Sequence, residues 1–113
     1  MSLSINNISA LKALSTKQAT TANNIANSQT KEYKKSRTIL EEGNNGAVTA
    51  KNQPINTPGT MINQADGSLE ELSNVDLVEE ITNFIPTKHA YEANLKALQS
   101  ANEMEQSTLD LIG

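Results

Sequence analysis

From Ile5 the apolar positions recur at helical spacing through Ile8, Leu11 and Leu14, lapse across Ser15 and Gln18, and resume at Ala22 and Ile25. This narrow stripe predicts a helix of about 24 residues, some 36 Å long at 1.5 Å per residue. Its opposite face carries Ser, Thr, Asn and Gln where an exposed helix usually carries Lys and Glu. The helix should end where Asn27, Ser28 and Gln29 compete for backbone hydrogen bonds.

Between Thr30 and Ser73 the periodicity lapses. Gly43, Gly46, Gly59 and Gly67 alternate with Pro54, Pro58 and Asn-rich pairs, all turn chemistry. Val48 to Lys51 and Met61 to Asn63 are expected to pair as a small hairpin, with Tyr33 to Leu40 extended alongside. A two-stranded hairpin alone is marginal in water, so this connector should be short, exposed and partly mobile.

Helix signals return at SNVDLVEE. Ser73 and Asp76 are each followed three residues later by an acid, and Glu79 and Glu80 favour the positive end of a helix. Val78, Ile81, Ile85, Tyr91, Leu95, Leu98, Met104, Leu109 and Ile112 then continue at near-heptad spacing towards Gly113. The span is about 36 residues, some 54 Å if straight. Pro86 lies within it, and a proline in a helix interior costs about 3 kcal/mol, so a kink near Thr82 to Pro86, or two helices, is expected. The organisation predicted is one structural unit: an N-terminal helix over 1–29, an irregular or β-containing connector over 30–73 and a C-terminal helix over 74–113. The fold class is mostly α, two long terminal helices packed as an antiparallel coiled-coil-like pair joined by a short irregular or small β segment.

Composition narrows this to a thin object rather than a globule. Phe84, Tyr33 and Tyr91 are the only aromatic residues among 113, too few for a thick core. Absent cysteine excludes disulfides and thiol chemistry. No run of eighteen apolar residues would span a bilayer, and MSLSINNISALKALS lacks the cationic start and apolar run of a cleaved export signal. Charge is segregated: through Thr38 six cations face the single acid Glu32, whereas from Asp66 ten acids face Lys88 and Lys96. Ends of opposite sign suit termini that pair with each other or with neighbouring copies.

Candidate chemistry is sparse. His89 is the sole histidine and has no companion ligand, so neither a metal nor an organic cofactor is expected, and no nucleophile elbow supports an enzyme. Asp66-Gly67 reads as a turn and not a calcium loop, and Asn7-Ile8-Ser9 as part of a helix and not a glycan acceptor. Lys31, Lys34, Lys35 and Arg37 beside Tyr33 are expected to complement a helix end and nearby acids, with nucleic acid not a partner. The C-terminal apolar stripe is longer than the first helix can cover, and uncovered stripes mark association sites.

Two stretches carry a family resemblance. TTANNIANSQTKEYKKSR resembles the N-terminal signature of bacterial flagellar basal-body rod and hook proteins, and SNVDLVEEITNFIPTKHAYEANLKALQSANEM their C-terminal signature. The resemblance implies a structural subunit of the rod, assembling through its terminal helices into the axial drive shaft, and the short middle looks like a proximal-rod type. It implies like subunits and other rod and hook axial proteins as partners in a homo-oligomer, export by the flagellar type III apparatus without a cleaved signal, and a place in the periplasmic rod. Asn23, Asn24 and Asn27 would then lie in a subunit interface, with Leu11, Ala22 and Ile25 on the first helix and Val78, Ile81, Tyr91, Asn94, Leu95 and Leu98 on the second. A soluble coiled-coil adaptor or export chaperone is the alternative. The chain departs from the family pattern with Glu32 where glycine is common, Pro86 inside the second helix, and His89 where Arg is usual.

Overall fold

The structure, a computed structural model, describes residues 2–112; Met1 and Gly113, the outer ends of the expected terminal segments, lie outside them. Helix α1 spans Ser2–Ala26, and helix α2 spans Leu77–Ile112. Between them lie two separate antiparallel hairpins, β1 (Ser36–Glu42) with β2 (Val48–Pro54) and β3 (Met61–Asn63) with β4 (Leu69–Glu71). The molecule is elongated, 79 × 24 × 15 Å.

The strand pairing differs from expectation. Val48 to Lys51 pair with Ile39 to Glu42, and Met61 to Asn63 pair with Leu69 to Glu71. Chain proximity decides this. Gly43 and Gly46 close a tight turn between neighbouring strands, with Gly43 N donating to Ala47 O at 2.8 Å, so each strand finds its partner at the lowest loop-closure cost. The first hairpin is not isolated: it lies along α1, where Ser9 Oγ accepts a 3.0 Å hydrogen bond from Val48 N.

Helix α1 packs against α2 and against β1 and β2, and the face it buries meets the apolar stripe at Leu14 but leaves much of the stripe outside. Ala13, Leu14, Thr20, Thr21 and Asn24 are buried, whereas Ile5 and Ile8 are exposed, and so is Ala22. Threonine is tolerated inside because its hydroxyl is satisfied locally: Thr20 Oγ1 donates to Thr16 O and Thr21 Oγ1 to Lys17 O, each at 3.1 Å. Asn27 closes the helix, its Nδ2 donating to Asn23 O at 2.8 Å.

Helix α2 begins as its sequence signals indicate. Asp76 caps it, with Oδ1 accepting from Val78 N at 3.1 Å and Glu79 N at 3.4 Å. Pro86 sits inside the helix without ending it. The carbonyl of Thr82, deprived of its usual donor, lies on an exposed part of the helix that water can reach. The next two carbonyls gain side-chain donors, Thr87 Oγ1 on Asn83 O at 2.8 Å and Gln18 Nε2 on Phe84 O at 3.4 Å.

Candidate assembly surface

The chain's chemistry separates into a polar junction near one end of the helix pair and an uncovered apolar surface along α2. Asn24 is the centre of the junction and is only 2% exposed. Its Nδ2 donates to Ser36 O at 2.8 Å and to Glu80 Oε1 at 3.2 Å, while its Oδ1 accepts from Tyr33 Oη and Ser36 N, each at 3.1 Å. All four bonding positions of the amide are used, so this one side chain joins α1, the start of β1 and α2.

Glu80, 5% exposed, completes the junction. Burial pushes its carboxyl above the ordinary glutamate range, the hydrogen bond from Asn24 opposing the shift. Burial likewise raises the Tyr33 phenol, with the Glu80 charge adding to it. A cleft of about 510 Å³, with Lys17, Thr20, Arg37 and Asn83 in its wall, opens onto this site.

A second asparagine pins the connector. Asn74 Nδ2 donates to Ile55 O at 2.8 Å and Thr57 O at 3.0 Å, and its Oδ1 accepts from Lys35 N at 2.7 Å. Around it the basic cluster meets the acidic half of the chain: Lys31 pairs with Glu70, Lys34 with Glu71 and Lys35 with Glu79. The hydrogen bond from Lys34 and that from Gly59 N hold the Glu71 carboxyl below the usual range. Gly59 has no room for a side chain, since a Cβ there would stand 1.9 Å from Leu72 O. Glu32, with φ of 61°, occupies the left-handed region that glycine favours, and its N–H donates to Glu71 O at 3.1 Å. The turn after α1 therefore keeps a glycine-like geometry with a glutamate in place.

The residues expected at an interface divide accordingly. Asn24, only 2% exposed, spends its amide on bonds within the chain. Asn23 and Ala22 face solvent, while Leu11, Ile25 and Asn27 are half-buried. On α2, Val78 (74% exposed), Ile81, Tyr91 and Leu95 are open, with Asn94 and Leu98 half-buried. Sequence reasoning gave Glu80, Asn74, Tyr33 and Gln18 no place in the site, naming Glu80 only as a helix-start acid and Tyr33 only beside the basic cluster. Asn74 and Glu80 do stand inside the SNVDLVEE stretch, but a carboxylate among other helix-start acids gives no sign of burial.

Among the described residues no helix is long and apolar enough to cross a membrane, and no group of His, Asp and Glu could hold a metal ion. The described residues form a slender helical body with an apolar flank. Models of two segments match it: flagella basal body rod protein over residues 6–34, and flagellar basal body rod FlgEFG protein C-terminal over residues 61–111. Matched at α1 and across β3 to α2, the chain belongs to the flagellar basal-body rod proteins, structural components of the motility organelle's basal body. The stretch between the matches is largely the β1–β2 hairpin. Curated proteins give no match to the chain.

Proposed function

We propose that this chain is an axial subunit of the rod, non-enzymatic and without cofactor, which assembles with like subunits and other rod or hook proteins through its terminal helices into the periplasmic drive shaft. Export by the flagellar type III apparatus without a cleaved signal belongs to the same reading, as does the proximal-rod position suggested by the short connector. The observation that carries it is the uncovered apolar flank of α2, on the segment that matches the rod-protein C-terminal model. Asn24 meets Glu80 and Gln18 meets Phe84, so contacts step in opposite senses along the two helices, which supports an antiparallel, coiled-coil-like pair. The interface comprises Leu11, Ala22, Asn23, Ile25 and Asn27 on α1, with Asn24 bracing that face from within the fold, and Val78, Ile81, Tyr91, Asn94, Leu95 and Leu98 on α2.

Val78→Asp tests the reading, because a 74% exposed position tolerates the charge in the free chain, whereas a packed interface does not. A strain producing only this variant should secrete a folded protein, fail to incorporate it into purified basal bodies and lose motility. Normal incorporation and swimming would remove Val78 from the interface. A stable free dimer with no basal-body signal in the wild type would favour a soluble adaptor.

A further inference from the structure

Two turns of the connector share one construction. In the first, Gly43 N donates to Ala47 O at 2.8 Å and Gly46 N to Gly43 O at 3.1 Å; in the second, Gln64 N donates to Ser68 O at 2.7 Å and Gly67 N to Gln64 O at 3.0 Å. Each carries a glycine in the left-handed region, with φ of 83° at Gly46 and 87° at Gly67. Before each glycine stands an exposed side chain whose Oδ1 accepts from a backbone N–H just beyond it: Asn45 from Ala47 at 3.2 Å, and Asp66 from Ser68 at 3.0 Å. The backbones match, and only the chemistry of that side chain differs.

That difference decides whether a turn can react with itself. A glycine nitrogen has no Cβ beside it to hinder approach to the side-chain carbon of the preceding residue. At Asn45 this carbon belongs to an amide, which can release ammonia, and the Ala47 N–H already points at the oxygen on which negative charge collects during addition. At Asp66 it belongs to a carboxylate, which repels a nucleophile; the Ser68 hydroxyl and N–H favour that ionised form and hold the carboxyl below the ordinary aspartate range. The Gly46 N–H must first leave Gly43 O, and local opening at an exposed hairpin tip costs little. Asn44 is exposed too, but the residue after it is Asn45, whose side chain crowds the attacking nitrogen.

We propose that Asn45 is a site of spontaneous modification, converted by its own turn and water to aspartate and isoaspartate. The Gly46 nitrogen bonds to Cγ of Asn45, the Cγ–Nδ2 bond breaks, and the side-chain nitrogen departs as ammonia with the proton that Gly46 gives up, leaving a cyclic imide. Water then opens the imide at either carbonyl. Opening at Cγ restores the main chain with an aspartate. Opening at the main-chain carbonyl routes the chain through Cγ, which lengthens the turn by a carbon and turns the acceptor of the 3.4 Å hydrogen bond from Asn6 Nδ2 into a free carboxylate. Either product adds a negative charge close in sequence to Glu41 and Glu42. No step involves a second chain, so the proposal stands apart from the rod reading.

The test holds the purified chain at mildly alkaline pH, cleaves it after lysine and arginine, and follows its peptides by tandem mass spectrometry with fragmentation that separates isoaspartate from aspartate. The peptide from Thr38 to Lys51 should gain the mass of an amide becoming an acid, at Asn45 and about tenfold faster than at Asn44 or Asn63. Isoaspartate at Asp66 should accumulate about tenfold more slowly than at Asn45. As a second arm, Asp66→Asn places an amide in the matching turn and should convert there within about threefold of the Asn45 rate. Conversion of Asn45 no faster than that of Asn44 or Asn63, or isoaspartate at Asp66 equal to that at Asn45, would overturn the proposal. So would an Asp66→Asn chain that stays unmodified at that position.

Discussion

The two ends of the helix pair bury and expose the opposite of what their residue types suggest. Around Asn24 the interior is polar: an amide, two threonines and a carboxylate lie within the fold. Along the far half of α2, Met104, Leu109, Leu111 and Ile112 lie open. The polar end is closed because every group of Asn24 has a partner at fixed distance, which offsets the cost of removing it from water. The apolar end is open, with Met104, Leu109, Leu111 and Ile112 left in contact with water. Burial at the junction therefore follows from hydrogen-bond satisfaction within the chain, and exposure along the far half of α2 from the lack of any packing partner among the described residues.

That contrast predicts separable effects. Asn24→Ala strands the Glu80 carboxylate and the Ser36 backbone groups, so it should destabilise the free chain by about 2–4 kcal/mol, read by thermal or urea unfolding. A loss below about 0.5 kcal/mol would mean that water replaces the amide without penalty. Asp76→Ala should cost about 1 kcal/mol by leaving the first N–H groups of α2 without their acceptor.

The pH dependence offers a finer cut. The folded-state pKa of Glu80 is raised, so its penalty is absent below the ordinary glutamate range and fully present above the raised value; stability should fall as pH rises through that window. Glu71 has the opposite sign. Its folded-state value is lowered, so the stability it contributes is present above the ordinary range and is lost as pH falls below it. Glu80→Gln should flatten the upper window and leave the lower one, as measured by unfolding at a series of pH values. An unchanged profile would place the titration elsewhere.

The smallest effect concerns the turn. Glu32→Gly should stabilise by a few tenths of a kcal/mol up to about 1, since relief of the left-handed backbone is partly cancelled by the greater freedom of glycine in the unfolded chain. A lower melting temperature would show that the Glu32 side chain contributes more than its backbone costs.

The elements legible from sequence are those with strong local signals. Both helices, a cap at Ser73 or Asp76 and the turn-rich connector follow from periodicity and residue chemistry, and the pairing of basic with acidic segments follows from charge. Strand partners were not legible: Val48 to Lys51 carry no mark that favours Ile39 to Glu42 over Met61 to Asn63, and only the economy of a short loop decides. The buried face of α1 escaped for a different reason. Periodicity weighs side chains by hydrophobicity, and Thr20, Thr21 and Asn24 owe their burial to hydrogen bonds with Thr16, Lys17, Ser36 and Glu80, partners that exist only once the chain has folded. Pro86 misleads in the same way, because the donors that help keep α2 continuous come from Thr87 and from Gln18 on the other helix. For the interface residues, exposure is now known for each, while the family resemblance remains the source of their grouping.

Amide hydrogen exchange, compared between the free chain and the chain in purified basal bodies, tests the separation of the two ends most directly. In the free chain the amides near Asn24 and Glu80 should exchange slowly and those from Met104 to Ile112 rapidly; in basal bodies the second group should become protected while the first changes little. Strong protection of Met104 to Ile112 in the free monomer, or a junction that gains protection only in the basal body, would contradict this account.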